Sequence, residues 1–251
     1  MERCWTIRPL CYGEFPDFSR AVLTYNCHFG ETVTSPILGW LLQAGEDAIL
    51  VDTGPSTPEA ARPFHPAIRQ APHQAPAALL RALGVDPEAL RLVVLTHLHW
   101  DHCHNLASFP AARVLVQAAE LRAAVDPVAT QRATYEVGFP GLRPPWLAAF
   151  GRLVLLRGDA DIAPGVRALL LPGHTPGLQG VLVDTAAGRY LIASDGAPQA
   201  ANLGEPGGVP IPPGIHVDVA DCLASLARMQ READVVLPGH DPAVLAHAVY
   251  P

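Results

Sequence analysis

The sequence predicts a layered α/β or α+β domain, and three observations carry that prediction. Short apolar runs rich in Val, Leu and Ile recur along the chain and read as buried strands. Stretches of helical pattern lie between several of them, and mixed strands and helices on this scale pack as layers. The chain has 251 residues, 49% of them hydrophobic and 16% charged, which is enough to bury a sizeable core.

The elements follow in order. Ala48–Val51 is the first clear strand, and Pro76–Leu83 is a helix with Pro at its start and Gly84 at its stop. Leu92–Leu95 and Val114–Val116 are strands, with a second helix over Gln117–Val125. Four more strands fall at Leu153–Leu156, Ala168–Leu171, Gly180–Val183 and Tyr190–Ala193, then a helix at Val219–Glu232 and a last strand at Asp234–Leu237. Three Pro- and Gly-rich segments, Thr53–Ala75, Asp126–Phe150 (with some helical pattern) and Gly196–Gly214, read as long loops. Loops beyond about 12–15 residues usually form lids or binding loops, so substrate selectivity is expected there.

Composition excludes several classes. Pro, Gly or charge interrupts every apolar run well short of the roughly 20 residues a membrane span needs. The opening Met1-Glu2-Arg3-Cys4-Trp5 lacks the basic start and apolar stretch of a secretory signal, so a cytoplasmic location is expected. Cys4, Cys11, Cys27, Cys103 and Cys222 form no Cys-x-x-Cys pair and suggest neither a disulfide framework nor a thiolate cluster. A net charge of −7 without clustered cations argues against nucleic acid and leaves a small molecule as the expected partner. A homodimer is compatible with the sequence.

The densest chemical signal is Thr96-His97-Leu98-His99-Trp100-Asp101-His102, where a buried strand runs out. In extended chain His97 and His99 point the same way, whereas Asp101 and His102 enter a turn or helix start and can aim at a second point. Three later strands each deliver one donor at their C-terminal end: His174, Asp195 and His240. The count closes on two ions if His97, His99 and His174 hold one, Asp101, His102 and His240 hold the other, and Asp195 bridges. Nitrogen and oxygen donors without thiolate suit two Zn²⁺, and Fe, Mn or Co are also compatible.

In the order and type of these residues the chain resembles the metallo-β-lactamase superfamily. Asp52-Thr53-Gly54 and Pro172-Gly173-His174-Thr175-Pro176-Gly177 are similar to its early Asp-Thr-Gly strand end and third-ligand loop. The resemblance covers nearly the whole chain. It implies one domain over residues 1–251, a four-layer αβ/βα sandwich, and the metals at one edge between two sheets. Asp52 is then expected either to orient the ligands or to serve as a turn residue.

Within the superfamily the chain looks most like the acyl-homoserine lactone lactonases, through the 96–102 segment, Asn105 and Pro238-Gly239-His240-Asp241-Pro242. Asp241-Pro242 also reads as a helix N-cap followed by Pro. Two departures stand out. Those lactonases carry a substrate-binding tyrosine three residues beyond the bridging aspartate, where Pro198 stands here, and glycine where His104 stands.

The resemblance implies that two cations acidify a shared water and polarise a carbonyl, with Asp101 carrying the proton to the leaving alkoxide. The expected reaction is opening of a lactone or hydrolysis of a related ester. A glyoxalase II-type thioesterase shares the seven ligands but would show basic residues for glutathione carboxylates. A hydrolase of another small cyclic ester or amide stays open. β-Lactamases with a similar first motif lack the bridging aspartate, and His99 argues against a redox di-iron protein. A protein merely braced by metal would leave no open coordination position. Of the remaining residues, Cys103 is expected as buried filler, Trp100 to pack into the sheet, and His104 to face water. Tyr25, His28 and Phe29 are assigned to a rim over the site, and Leu142, Trp146 and Phe150 to an acyl pocket.

Overall fold

The computed structural model describes residues 4–205 and 208–251; Met1, Glu2 and Arg3 of the opening, and Pro206 and Gly207 of the third long loop, lie outside the described residues. Among the described residues eleven strands run in chain order as β1 (Thr6–Ser19), β2 (Thr32–Ala44), β3 (Asp47–Val51), β4 (Leu92–Val94), β5 (Arg113–Gln117), β6 (Leu153–Leu156), β7 (Ala160–Ala163), β8 (Val166–Leu170), β9 (Gln179–Thr185), β10 (Gly188–Ser194) and β11 (Val235–Pro238). The α-helices are α1 (Arg20–Leu23), α2 (Pro58–Ala61), α3 (Pro76–Ala82), α4 (Trp100–Cys103), α5 (Ala118–Val125) and α6 (Val219–Glu232).

The strands form a six-stranded sheet, β1-β2-β3-β4-β5-β6, and a five-stranded sheet, β11-β10-β9-β8-β7. From β3 to β6 the pairing is parallel, with α3 and α5 in the crossovers; β10 and β11 pair in parallel across α6. Strands that alternate in side-chain direction supply the layers. Leu42, Ile49, Val51 and Val94 of the first sheet meet Val166, Val181, Val183, Ile192 and Leu237 of the second in an inter-sheet core. Leu41, Leu50 and Val93 face the other way, into a core with Leu80 of α3, Ala124 of α5 and Trp146. Leu169, Leu182 and Leu191 on the outer face of the second sheet pack against Leu226 and Met229 of α6. The result is the αβ/βα sandwich expected from the resemblance.

The eight expected strands and three expected helices are all present, within a few residues of their expected bounds. The sequence reading missed β1, β2 and β7. Pro9, Gly13 and Pro16 interrupt β1, and Pro36 and Gly39 interrupt β2, which demotes both by pattern. Here β1 is an edge strand, and register shifts between Cys11 and Gly13 and between Phe15 and Phe18 absorb the irregularities. No helix among the described residues is long and apolar enough to cross a membrane.

Because β4, β8, β10 and β11 all end on the same edge of the sandwich, the segments after them converge. That edge also receives the end of β3, where Asp52 turns the chain with φ +60°.

Candidate metal centre

All seven donors expected from the sequence come together at this edge. His97 and His99 lie in the loop leaving β4, Asp101 and His102 on α4, His174 beyond β8, Asp195 beyond β10 and His240 beyond β11. Every one of them is buried; Asp101 and Asp195, each 9% exposed, are the most open. Among the described residues three groups form in which the donor atoms all lie within 4.8 Å of one another: His97, His99 and His174; Asp101, His102 and His240; and His97, His102 and Asp195.

Asp195 faces both halves. Its Oδ1 is 3.0 Å from His240 Nε2 and 3.2 Å from His102 Nε2, while Oδ2 is 3.4 Å from His174 Nε2 and 4.0 Å from His97 Nε2. Asp101 Oδ2 stands 3.7 Å from His102 Nε2, and His99 Nδ1 stands 3.0 Å from His174 Nε2. Donors bound at about 2.0–2.1 Å around a tetrahedral ion stand roughly 3.3 Å apart, so the spacing fits two cations sharing Asp195. The Nε2 atoms of His97 and His102 and Oδ1 of Asp195, which face the cluster, are buried without a hydrogen-bond partner, a costly arrangement that bound cations relieve.

In four of the five imidazoles the outer ring nitrogen is tethered, which fixes both tautomer and aim. His174 Nδ1 donates to Ile215 O at 2.8 Å and His240 Nδ1 to Pro36 O at 2.8 Å. His102 Nδ1 lies 2.9 Å from Asp52 Oδ2, and His97 Nδ1 lies 3.1 Å from Thr96 Oγ1. Asp52 also accepts from Thr96 N and Thr96 Oγ1, at 2.8 and 2.7 Å. It is thus both the turn residue and the residue that orients a ligand.

The protein's own charges polarise the cluster. Burial, reinforced by neighbouring imidazoles, pushes the His97 and His99 rings well below the usual histidine value and keeps them neutral, as ligation requires. Burial also opposes charge on Asp195, but His240, His102 and His174 outweigh it and hold the carboxyl well below its usual range.

An apolar cleft opens over the cluster, with about 540 Å³ of empty space counting its mouth. Phe15, Phe18, Val22 and Leu23 form one wall, and Pro66, Thr134, Pro198 and Pro213 come from the long loops and their edges. All three expected long loops therefore contribute, but the individual lining residues differ from those expected. Tyr25, His28 and Phe29 are not part of the lining: Tyr25 stands edge-on to His216, His28 Nδ1 meets Thr24 Oγ1 at 2.8 Å, and Phe29 is 73% exposed. Nor does the second expected trio form it. Trp146 is buried in the core beneath the first sheet, and Phe150 faces solvent. Positions in a loop carry no periodicity that would reveal their direction.

The neighbours of the central motif also resolve. Cys103 is buried filler. Trp100 packs edge-on against Phe15 of β1 and also lines the cleft. His104 does not simply face water; its Nε2 is 3.3 Å from Glu136, whose other oxygen is 2.8 Å from His65 Nε2. His65 in turn stacks on Trp100 at 4.0 Å. Asn105 Nδ2 donates to Thr53 O and Pro55 O, tying down the loop after β3. Asp241 Oδ1 accepts from Ala243 N, the cap read from Asp-Pro.

Two sheets packed face to face, with helices outside and a seven-residue imidazole–carboxylate cluster at one edge, define a chain of the metallo-β-lactamase fold. A profile described as the Metallo-beta-lactamase superfamily matches residues 34–240, and the chain belongs to that superfamily. An N-acyl homoserine lactonase from a Bacillus species is 29% identical over 228 residues, covering 84% of each chain. The N-acyl homoserine lactonase AttM of Azorhizobium caulinodans is 30% identical over 174 residues, 66% of this chain and 63% of its own. Among solved structures, a mutant of B. thuringiensis AiiA with N-decanoyl-L-homoserine bound at its active site matches with TM-score 0.77 at 23% identity, over 98% of this chain and 96% of that one.

Proposed function

We propose that the protein is a dinuclear metal-dependent hydrolase that opens a lactone of the acyl-homoserine type, acting as one domain. The observation that carries this reading is Asp195, whose two oxygens face separate sets of imidazoles at the floor of an apolar cleft. His97, His99 and His174 would hold one cation, Asp101, His102 and His240 the other, and Asp195 both; the all-nitrogen-and-oxygen set favours Zn²⁺. Bound there, the cations supply an acidified water and a Lewis acid for the substrate carbonyl.

The chain's own residues do the rest. Phe15, Phe18, Val22 and Leu23 take the apolar part of the substrate and keep water from it. Asp101 lies on the cleft side of the cluster, where its carboxylate can take a proton and deliver it to the departing alkoxide. Pro198, at the position of the lactonase tyrosine, offers no donor. Thr134 carries a hydroxyl in the cleft wall, but it donates to Gln131 O at 2.8 Å rather than into the cleft. No Arg or Lys lines the cleft among the described residues, which disfavours the thioesterase reading with its anionic glutathione group. The naming of lactonases among the relatives supports the same substrate class.

The test is a panel of lactones, thioesters, β-lactams and phosphodiesters offered to the purified protein with and without chelator. Acyl-lactone turnover that stops on metal removal and returns with Zn²⁺ is expected. Turnover of thioesters with lactones untouched would overturn the assignment.

A further inference from the structure

Glu120 is an acid with no exposed surface at all, placed in the first turn of α5 away from the cleft. Both its oxygens are fully engaged. Oε1 accepts from Leu98 N at 2.9 Å and from the Tyr135 hydroxyl at 2.8 Å; Oε2 accepts from the Thr175 hydroxyl at 2.6 Å and from Gly177 N at 3.2 Å. Two of these partners are backbone N–H groups that can only donate, so the set is built for a carboxylate. The approach is close: a Cβ on Gly177 would stand 2.1 Å from Glu120 N.

What those partners flank is specific. Leu98 lies between His97 and His99; Thr175 and Gly177 follow His174; and the Tyr135 ring packs against the His99 ring at 4.6 Å. None of Glu120's four hydrogen bonds reaches Asp101, His102 or His240, whose group is tied instead through Asp52 to His102 and through Pro36 to His240. The three imidazoles that Glu120 brackets come from two segments some 75 residues apart, and their donor atoms form one compact group.

We propose that Glu120 is a positioning residue for one ion of the pair: it clamps the His97–His99 loop to the His174 loop and so sets the geometry and affinity of that site independently of the other. The inference rests on the dinuclear reading above.

The test uses the full chain, loaded with Zn²⁺ alone and titrated with a chromophoric chelator, in wild type, Glu120→Gln, Thr175→Val and Tyr135→Phe. Gln keeps the size of Glu120 but turns an amide NH₂ toward one of its donors. Wild type is expected to release two ions. In Glu120→Gln one ion is expected to bind about 10–100-fold more weakly while the other keeps its affinity. Thr175→Val and Tyr135→Phe, which remove one hydrogen bond each, should weaken the same ion by less, and they decide the matter if Glu120→Gln does not fold. Unchanged affinities, or both ions weakened alike as general loosening of the fold would produce, overturn the proposal. Wild type that binds a single ion would instead overturn the dinuclear reading on which it stands.

Discussion

At the scale of single residues, this centre depends on where each imidazole's second nitrogen goes. A ring whose outer N–H is bonded presents its other nitrogen in one direction and one tautomer, so the tethering group matters almost as much as the ligand. Asp52 takes this role for His102, and its three accepted hydrogen bonds leave it little freedom. Asp52→Ala is expected to lower metal affinity about 10–100-fold, read by chelator competition; unchanged affinity would show that α4 alone aims His102. Gly173 is a second such position. Its φ of +135° lies in a region side chains avoid, and a Cβ there would stand 2.5 Å from Cys222 N. Gly173→Ala should therefore cost more than about 1 kcal/mol of stability in urea unfolding.

Elements carry these residues, and α6 and the 126–150 loop matter most. Asp218 caps α6 by accepting from Asp221 N at 2.9 Å, and the helix then covers the outer face of the second sheet with Leu226 and Met229. Asp218→Ala is expected to cost about 1 kcal/mol. The loop is braced against α4 through Glu136, between His65 and His104. Burial works against the Glu136 charge, but the hydrogen bonds from His104 and His65 outweigh it and bring the carboxyl to about 2 from an ordinary 4.5. A depressed carboxyl stabilises the fold above its ordinary value, and that contribution fades as pH falls from about 4.5 toward about 2. Glu136→Gln should accordingly flatten the pH dependence of stability over that acid window. An unchanged slope in urea titrations at several pH values would refute the brace.

For the whole molecule, the two sheets meet at an edge lined with buried polar atoms that lack hydrogen-bond partners, and cations held there by donors that folding brings together favour the folded chain. Each ion present at 1,000 times its dissociation constant adds about 4 kcal/mol, so chelation should lower the melting temperature by many degrees, and calorimetry with and without chelator checks this. The donors of the cluster, their order and their strand-end contexts were legible because an apolar run ending in His or Asp is a local pattern, as in Leu92 to His97 and Val235 to His240. So was the layered fold, since strands such as Leu153–Leu156 and helices such as Val219–Glu232 announce themselves by period and composition. The irregular edge strand β1, and with it the Phe15 and Phe18 wall of the cleft, was hidden by its prolines and bulges. Glu120 was hidden too, because an acid in the first turn of a helix reads as solvated until other segments close over it. By itself the sequence determined which groups could bind cations and on which strands they stand. The tertiary structure alone decided which nitrogen of each ring faces inward, what wall faces the substrate and which carboxylates hold the ligand loops, because those depend on contacts such as His240 with Pro36, 204 residues apart, that no local period encodes.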